Sequence, residues 1–200
     1  MPDSFVSTSL ARKLAVPLSK AYRLLNHGPT ILVSAAHAGR SNVMAAAWNM
    51  PLDFQPPKVA VVIDKQTFTR GLIEASGEFV ISVPPASMVE AVVKAGQLSG
   101  RDVDDKLPAC GLGGQPASSM AAPLIEGCMA WLECRVLPEP TMVERYDLYL
   151  AEVVAAWADP LVFSDGRWHM SDKDDAACSL HHVAGRAFFA TGKPVSAASG

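Results

Sequence analysis

The sequence has few charged residues, and it lacks the long apolar runs of membrane proteins and the paired cysteine motifs of metal-binding proteins. Only 18% of its 200 residues are charged, and the net charge is −3, which argues against a general binder of nucleic acid or of anionic membranes. No apolar run has the length of a membrane-spanning helix, and no secretory signal is predicted. The four cysteines form no C-x-x-C pair, and there is no N-x-S/T sequon. These absences favour a cytoplasmic protein with buried thiols.

The short motifs of the common catalytic chemistries are also absent or incomplete. Residues 111–114 (GLGG) lack the preceding strand and following helix of a dinucleotide fingerprint. The Gly-Lys pair at 192–193 precedes Pro194 rather than the Ser or Thr of a phosphate-binding loop. His181 and His182 would point to opposite faces of an extended segment, so no metal site is predicted. Without a G-x-S-x-G elbow, the sequence indicates no catalytic nucleophile, acid or base.

What the sequence does contain is apolar surface and an uneven distribution of charge. Half of the residues are hydrophobic and the mean hydropathy is +0.18, which predicts one sizeable domain. We expect a loose arm over residues 1–18, the domain over 19–194 and a tail over 195–200. Residues 1–100 carry nine basic and six acidic side chains, whereas residues 101–200 carry eight and fourteen. An anionic ligand is therefore expected to meet the first half.

Apolar runs of strand length predict a mostly β protein, a barrel with peripheral helices. Because the β and α segments do not alternate regularly, we expect a largely antiparallel sheet that closes on itself, with the helices packed outside. The predicted strands cover residues 30–36, 42–48, 59–63, 79–83, 124–137, 146–157 and 186–190. The predicted helices cover residues 20–26, 69–76 and 87–97.

The first candidate site lies where a buried strand is followed by a helix. Lys65, Thr67 and Thr69 place a cation and two hydroxyls beside the unpaired N–H groups of a helix start. This combination suits a phosphate group. The alternative is that one threonine simply caps the helix while Lys65 is solvated.

The second candidate site is the strand that begins at Asn42. Its small residues would let a flat ligand approach the backbone, while Asn42 offers a hydrogen bond and Trp48 an aromatic wall. The alternative is an ordinary strand with a tryptophan in the core.

Taken together and in this order, the segments resemble the flavin reductase-like family of FMN-binding split barrels, in particular its flavoredoxin branch. The resemblance covers residues 18–193. It is carried by residues 28–33 (GPTILV), 42–44 (NVM) with Trp48, 67–69 (TFT), 77–84 (GEFVISVP), 99–104 (SGRDVD), 122–126 (APLIE) and 132–136 (LECRV).

The resemblance implies a six-stranded Greek-key split barrel that binds FMN, normally in a homodimer with the cofactor near the interface. By matching motif, the isoalloxazine and ribityl region of FMN would be lined by Asn42, Val43, Met44, Ala45 and Trp48. The phosphate would be held by Lys65, Thr67 and Thr69, with Lys106 as a further candidate. Two departures stand out: the family often has Thr or Ser where this chain has alanine at 45–47, and residues 104–106 carry one extra residue before the lysine.

The function that the resemblance implies is a flavin-dependent oxidoreductase. FMN would accept a hydride from NAD(P)H and pass electrons to free flavin, a metal complex or a protein, so the cofactor would supply the chemistry. One alternative is an electron-transfer protein that holds FMN for a redox partner and has no nicotinamide site of its own. Another is a barrel adapted to a different ligand such as haem, which the alanines at 45–47 would favour.

Overall fold

In the part of the chain that the structure describes, the fold consists of antiparallel strands with five helices around them. The computed structural model describes residues 13–169 and 177–197. The strands are β1 (Leu14–Ala15), β2 (Ile31–His37), β3 (Arg40–Ala46), β4 (Asn49–Phe54), β5 (Pro57–Val62), β6 (Glu78–Val83), β7 (Gly114–Gln115), β8 (Leu124–Ile125), β9 (Ala130–Val136), β10 (Leu148–Ala158), β11 (Phe163–Ser164), β12 (Arg167–Trp168), β13 (Leu180–Ala184) and β14 (Ala187–Ala190). The helices are α1 (Leu18–Ala21), α2 (Phe68–Ser76), α3 (Val89–Gln97), α4 (Lys106–Ala109) and α5 (Pro140–Tyr146), with 3-10 turns at Tyr22–Leu24 and Ala86–Met88.

One sheet organises the molecule. Its strands are hydrogen-bonded in the order β3-β2-β6-β9-β10-β5-β4, with β1 added beside β10, and every pairing is antiparallel. The two end strands, β3 and β4, are consecutive in the chain and only Ala47 and Trp48 separate them. Counted as the two halves of one bent strand, they leave six strands in the ring, as predicted. β3 and β4 lie at the two ends of the hydrogen-bonded order and do not pair with each other.

Successive side chains of a strand point to opposite faces of the sheet, and the buried apolar side chains accordingly form two clusters. Ile31 and Val33 of β2 belong to one cluster, which also contains Leu72 and Ile73 of α2. Leu32, which points to the opposite face, belongs to a second cluster with α3. β2 and β6 are therefore buried on both faces, which explains their uninterrupted apolar runs. The four cysteine side chains are all buried, as predicted.

Several elements differ from the prediction because polar or proline residues interrupt their patterns. Strand β4 was not predicted: Pro51 and Asp53 break its apolar run, and its outer face is exposed. The expected strand at residues 124–137 is two strands, β8 and β9. The expected helix at residues 20–26 is the single turn α1 followed by a 3-10 turn. Helices α4 and α5 and strand β13 were also missed.

The predicted arm and tail fall largely outside the described part of the chain. Residues 1–12 and 198–200 lie outside the described residues. Within the expected arm, Leu14 and Ala15 pair with Ala158 and Trp157 of β10. Regular structure therefore begins before residue 19.

Glu133 on β9 is a fully buried carboxylate that lies away from the cavities described below. Its two oxygens accept hydrogen bonds from the backbone N–H and the hydroxyl of Ser118 and of Ser119, and from Trp157 Nε1, at 2.7–3.0 Å. Burial alone would raise the pKa of Glu133, but these donors outweigh it and lower the pKa below the usual value. The charge thus ties the 118–119 loop to the barrel.

The described residues contain neither a membrane-spanning helix nor a cluster of metal ligands. No helix among the described residues has the length and apolar character that a membrane crossing requires. Within residues 13–169 and 177–197, no three His, Cys, Asp or Glu side chains converge in the way that a metal site would need.

Candidate functional site

Two adjoining cavities lie between β3, α3 and the start of α2. The larger has a volume of about 540 Å³ and the smaller about 170 Å³. They share Met44 and Ala45 of β3 and Gly96 and Gln97 of α3 as lining residues. Because these walls are common to both, one elongated ligand could occupy the two cavities together.

The smaller cavity is built at the start of α2. Thr67, Phe68 and Thr69 line it together with residues 99–100. Thr67 precedes the helix, but its hydroxyl donates to Asp64 O at 2.8 Å and makes no capping hydrogen bond. The first N–H groups of a helix have no partners within the helix, so they remain available to a ligand here. Thr67 thus occupies the N-cap position without the side-chain hydrogen bond that the alternative interpretation required. The other part of that alternative, a solvated Lys65, agrees with the structure, since Lys65 is exposed.

Asn42 joins the two segments that the sequence singled out. Its Nδ2 donates to Thr69 Oγ1 at 2.7 Å, and both side chains are buried. Its Oδ1 is also buried and has no hydrogen-bond partner among the described residues. A Cβ at Gly100 would come within 2.5 Å of this oxygen and 2.6 Å of Phe68 Cδ1. Only glycine therefore fits at position 100, and the cavity presents one unsatisfied acceptor.

One buried lysine lines the smaller cavity, and two arginines lie against Phe68, which also lines it. Lys106 of α4 lines it, is only 4% exposed and donates from Nζ to Ala95 O at 2.8 Å. Burial lowers the pKa of Lys106, so an anion beside it would offset that effect. Arg40 and Arg101 lie over the Phe68 ring, with Cζ at 4.4 and 5.9 Å from its centroid. They are held there by hydrogen bonds to Gly100 O and Gln66 O, each 2.7 Å long.

The larger cavity is mostly apolar. Residues 44–47 of β3 and its extension form one wall, and Val92 and Val93 of α3 form another. Trp48 lies at the rim and is 75% exposed, so it is not a core residue as the alternative interpretation required. An apolar cavity of this size with an aromatic rim suits a flat ring system.

The predicted site residues divide into three groups. Trp48 lines the larger cavity. Six of the predicted residues line the smaller cavity: Asn42, Met44, Ala45, Thr67, Thr69 and Lys106. Val43 is fully buried in the cluster that contains Leu32 and lines neither cavity. Lys65 is exposed and lines neither cavity.

Sequence reasoning missed several residues at the site. Arg40 is the first residue of β3, directly after the turn in which Ala38 and Gly39 have positive φ, and Arg101 lies in a loop 32 residues beyond Thr69. The 99–104 segment already carried part of the family resemblance, and that was the available signal for Arg101. No pattern in the sequence indicated Arg40.

The hairpin β13–β14 closes one side of the larger cavity, and it was not predicted to do so. It forms a separate two-stranded sheet. His182 and Phe188 line the cavity, with their ring centroids 5.2 Å apart at 62°. The hairpin is joined to the barrel by hydrogen bonds from Thr30 N to Leu180 O and from His182 N to Thr30 Oγ1.

A polar cluster lies where the hairpin leaves the barrel. Ser179 Oγ contacts His27 Nε2 at 3.0 Å, His181 Nε2 at 3.3 Å and Thr191 Oγ1. His27 packs edge-on against Trp168 and against His181. Burial, with a smaller contribution from His181, lowers the pKa of His27 from 6.5 to about 4. The folded protein therefore favours neutral His27.

This shift predicts a pH dependence of stability. Because the pKa of His27 falls on folding, its contribution to stability is constant above pH 6.5 and declines as the pH drops from 6.5 to about 4. We expect a loss of about 3 kcal/mol in the free energy of unfolding over this range, measured by urea denaturation. The variant His27→Leu should lose most of this slope, whereas His37→Gln at an exposed site should keep it. An unchanged slope in His27→Leu would contradict the assignment.

The comparisons with known proteins agree with this architecture. The family model described as "Flavin reductase like domain" matches residues 22–171. The chain belongs to the flavin reductase-like domain family. It is 43% identical over 191 residues to an uncharacterized protein, YddH, of Escherichia coli (strain K12), which covers 94% of this chain and all of that protein.

Two solved structures place the chain within the family. An FMN-binding domain of a flavin reductase-like enzyme from Shewanella baltica OS155 is 48% identical, with a TM-score of 0.88 over 93% of this chain and 97% of that chain. The flavoredoxin of Desulfovibrio vulgaris (Miyazaki F) is 25% identical, with a TM-score of 0.73 over 86% and 90% of the two chains. The flavoredoxin is thus a more distant relative than the resemblance implied, and the split-barrel fold is as predicted.

Proposed function

We propose that this protein binds FMN in the two adjoining cavities and works as a flavin-dependent NAD(P)H oxidoreductase. The observation that carries the proposal is the direct junction of a small basic cavity at a helix start with a larger apolar one. A phosphate tail suits the first and a flat ring the second. The family and the FMN-binding relative from Shewanella baltica support the same cofactor.

The residues present fit FMN at both ends. Lys106 would neutralise the phosphate, since its buried ammonium donates to Ala95 O and retains further N–H groups for a ligand. The first N–H groups of α2 would hold the same phosphate. Asn42 Oδ1, an acceptor without a partner, would accept a hydrogen bond from a ribityl hydroxyl.

At the ring end, the chain mainly offers backbone and apolar contacts. The alanines at 45–47 provide no hydroxyl, so backbone groups of β3 would meet the polar edge of the ring. Val92 and Val93 would exclude water from one side, and Trp48 would cover the rim. FMN, when bound, supplies the hydride and electron transfer itself.

The proposed reaction runs from NAD(P)H through bound FMN to free flavin, a metal complex or a protein. The test begins with purified protein, which should be yellow and should retain about one FMN per chain after reconstitution and gel filtration. NADH and NADPH oxidation is then followed with free FMN, ferric citrate or a c-type cytochrome as acceptor. Protein that stays colourless after reconstitution would contradict the proposal.

A second candidate function is favoured by one property of the larger cavity. Among the described residues that line it, none is Lys or Arg, so no cation there would meet the phosphates of a dinucleotide. This favours an electron-transfer protein that receives electrons from a redox partner. A yellow protein that is reduced by light and EDTA but does not oxidise NADH or NADPH would support this function over the first.

We further propose that the protein forms a homodimer through β4. Every second residue of this strand is exposed and apolar: Met50 is 52%, Leu52 44% and Phe54 63% exposed. The row continues from Trp48 at the rim of the larger cavity. A contiguous apolar surface of this kind marks an interface, and its position beside the proposed FMN site supports a dimer.

The dimer leads to a mutational prediction. Met50→Asp places a charge in the exposed row without touching the core, and we expect it to weaken dimerisation at least about 30-fold. Sedimentation over a range of concentrations would show the shift from dimer to monomer mass. Leu161→Asp, at a residue that is 63% exposed elsewhere, is the control and should leave the mass unchanged. A wild-type chain that sediments as a monomer at all concentrations would contradict the interface.

A further inference from the structure

Arg70 lies in the first turn of α2, directly after Thr69, yet it lines neither cavity. Its side chain is only 12% exposed. Its Nε donates to Glu74 Oε1 at 2.7 Å, and its Nη1 donates to Asp147 Oδ1 at 2.5 Å. Nη1 also donates to Ile63 O at 3.4 Å. Arg70 therefore links α2 to the end of β5 and to the junction between α5 and β10.

Asp147, which joins α5 to β10, fastens the segment that runs from β5 into α2. Its backbone oxygen accepts a hydrogen bond from Ile63 N at 2.8 Å. Its carboxylate accepts from Arg70 and from the backbone N–H of Lys65, and these hydrogen bonds lower the pKa of Asp147. The carboxylate is therefore charged at neutral pH. One residue thus contacts the chain at positions 63, 65 and 70.

The residues between these contacts form part of the wall of the smaller cavity. Gln66, Thr67, Phe68 and Thr69 all line it. The backbone N–H groups at a helix start hold an anion only when they converge on it. Hydrogen bonds weaken steeply when their alignment is lost. The position of the 66–69 segment therefore determines how well the smaller cavity can bind a phosphate.

The pair of Arg70 and Asp147 is anchored on the barrel. Arg70 Cζ lies 5.7 Å from the ring centroid of Tyr149 on β10, and Tyr149 is only 2% exposed. The Tyr149 hydroxyl donates to Glu74 Oε1 at 3.1 Å, so it supports the second carboxylate that Arg70 binds. Hydrogen bonds between charged partners are stronger than those between neutral ones. The pair thus fixes the start of α2 relative to the barrel wall.

We propose that Arg70 and Asp147 are positioning residues for a phosphate in the smaller cavity, and that their ion pair gives the protein a preference for FMN over riboflavin. Riboflavin is the same flavin without the phosphate, so it lacks the group that the 66–69 segment would bind. The inference rests on the proposed function for the identity of the ligand. The alternatives are that the pair acts only through its charge or only on overall stability.

The two members of the pair carry opposite charges, and this separates an effect of position from an effect of charge. Arg70→Met removes a positive charge, whereas Asp147→Gly removes a negative one. Acting by charge, the second variant would bind FMN more tightly than the wild type. Acting by position, both variants bind FMN more weakly. Position 147 has a φ of 54°, which glycine adopts without strain at the end of a helix.

The dissociation constants of FMN and riboflavin are measured by the quenching of flavin fluorescence on titration with FMN-free protein. We expect FMN affinity to fall about tenfold in Arg70→Met and about fivefold in Asp147→Gly, with riboflavin affinity changed less than about twofold. Arg70→Lys keeps the charge but cannot bind both carboxylates as a fork, so FMN affinity should fall at least about threefold. Tighter or unchanged FMN binding in Asp147→Gly, or an equal loss for both flavins in Arg70→Met, would overturn the proposal.

The control for the loss of a positive charge is Arg145→Met. Arg145 is exposed on α5 and lines neither cavity. Both flavin affinities should therefore stay within about twofold of those of the wild type. A loss of FMN affinity as large as that in Arg70→Met would show that charge alone accounts for the effect, and it would overturn the positioning role.

Hydrogen exchange of the FMN-free protein tests the same pair without a flavin. In Arg70→Met, the amides of residues 63–67 should exchange at least about tenfold faster than in the wild type, while those of β6 and β9 keep their rates. Unchanged exchange over residues 63–67 would overturn the positioning role. Lost protection of β6 and β9 would show that this variant unfolds, and Arg70→Lys and Asp147→Gly then decide the outcome.

The two measurements separate this proposal from the proposed function. A wild-type protein that binds neither flavin would contradict the proposed function alone, because hydrogen exchange still reports whether the pair holds the 63–67 segment. Normal FMN uptake, with the same preference for FMN over riboflavin in the variants as in the wild type, would contradict the positioning role alone.

Discussion

Replacing Lys106 with methionine is expected to weaken FMN binding about 10- to 100-fold, because a charge-assisted hydrogen bond contributes about 1.5–3 kcal/mol. Lys106 is nearly fully buried and lines the smaller cavity. Methionine fills a similar volume without the charge. The dissociation constant is measured by the quenching of FMN fluorescence on titration with FMN-free protein.

The control for this prediction is the lysine that the sequence favoured for the phosphate. Lys65 is exposed and lines neither cavity, so Lys65→Met should change the dissociation constant less than about twofold. Thermal unfolding of FMN-free Lys106→Met should show that the fold is intact. Wild-type FMN affinity in Lys106→Met, or a large loss in Lys65→Met, would reverse the assignment.

Glu133→Ala is expected to destabilise the protein by about 2–3 kcal/mol. The substitution removes a buried carboxylate and leaves the N–H groups of Ser118, Ser119 and Trp157 without their acceptor. An unsatisfied buried donor costs about 1–3 kcal/mol, but Ser118 and Ser119 are exposed residues and Trp157 is half-buried, so water replaces part of the lost hydrogen bonding. Urea denaturation gives the change in the free energy of unfolding.

The matched control is a glutamate on the neighbouring strand. Glu152 of β10 is only half-buried, and Glu152→Ala should change stability by about 0.5 kcal/mol or less. The pH dependence gives a second check on Glu133. Because its pKa is lowered on folding, its stabilisation is present above about pH 4.5 and is lost as the pH falls further. A stability of Glu133→Ala within 1 kcal/mol of that of the wild type would contradict the prediction.

The fold could be predicted from the sequence where apolar runs coincide with strands that are buried on both faces. β2, β5 and β6 have this property, and their positions were close to those observed. β4 could not be found in this way because it is defined by pairing with β5 rather than by its own pattern. Its alternating exposure becomes meaningful only once the bend at Ala47 and Trp48 is known.

The candidate site was predictable in its segments but not in its assembly. The sequence indicated the segments around Asn42 and Thr69 separately, and the hydrogen bond between these two residues is a tertiary contact. Arg40 and the wall around Phe188 come from distant parts of the chain, and neither carries a local motif. The position of a lysine after a strand did not predict which lysine lines the smaller cavity. Lys65 is nearer to Thr69 in sequence, yet Lys106 is the lysine that lines it.

The four buried cysteines can report local opening of the structure, because each becomes reactive only when its surroundings open. Cys134 is enclosed in the barrel core, whereas Cys178 lies where the chain enters the hairpin. A thiol reagent reaches a buried sulfur only when the surrounding structure opens, so the order of labelling ranks local free energies of opening. Mass spectrometry after timed alkylation would follow hairpin opening and barrel unfolding separately in the unmodified chain, and it would show which of the two motions a bound ligand suppresses.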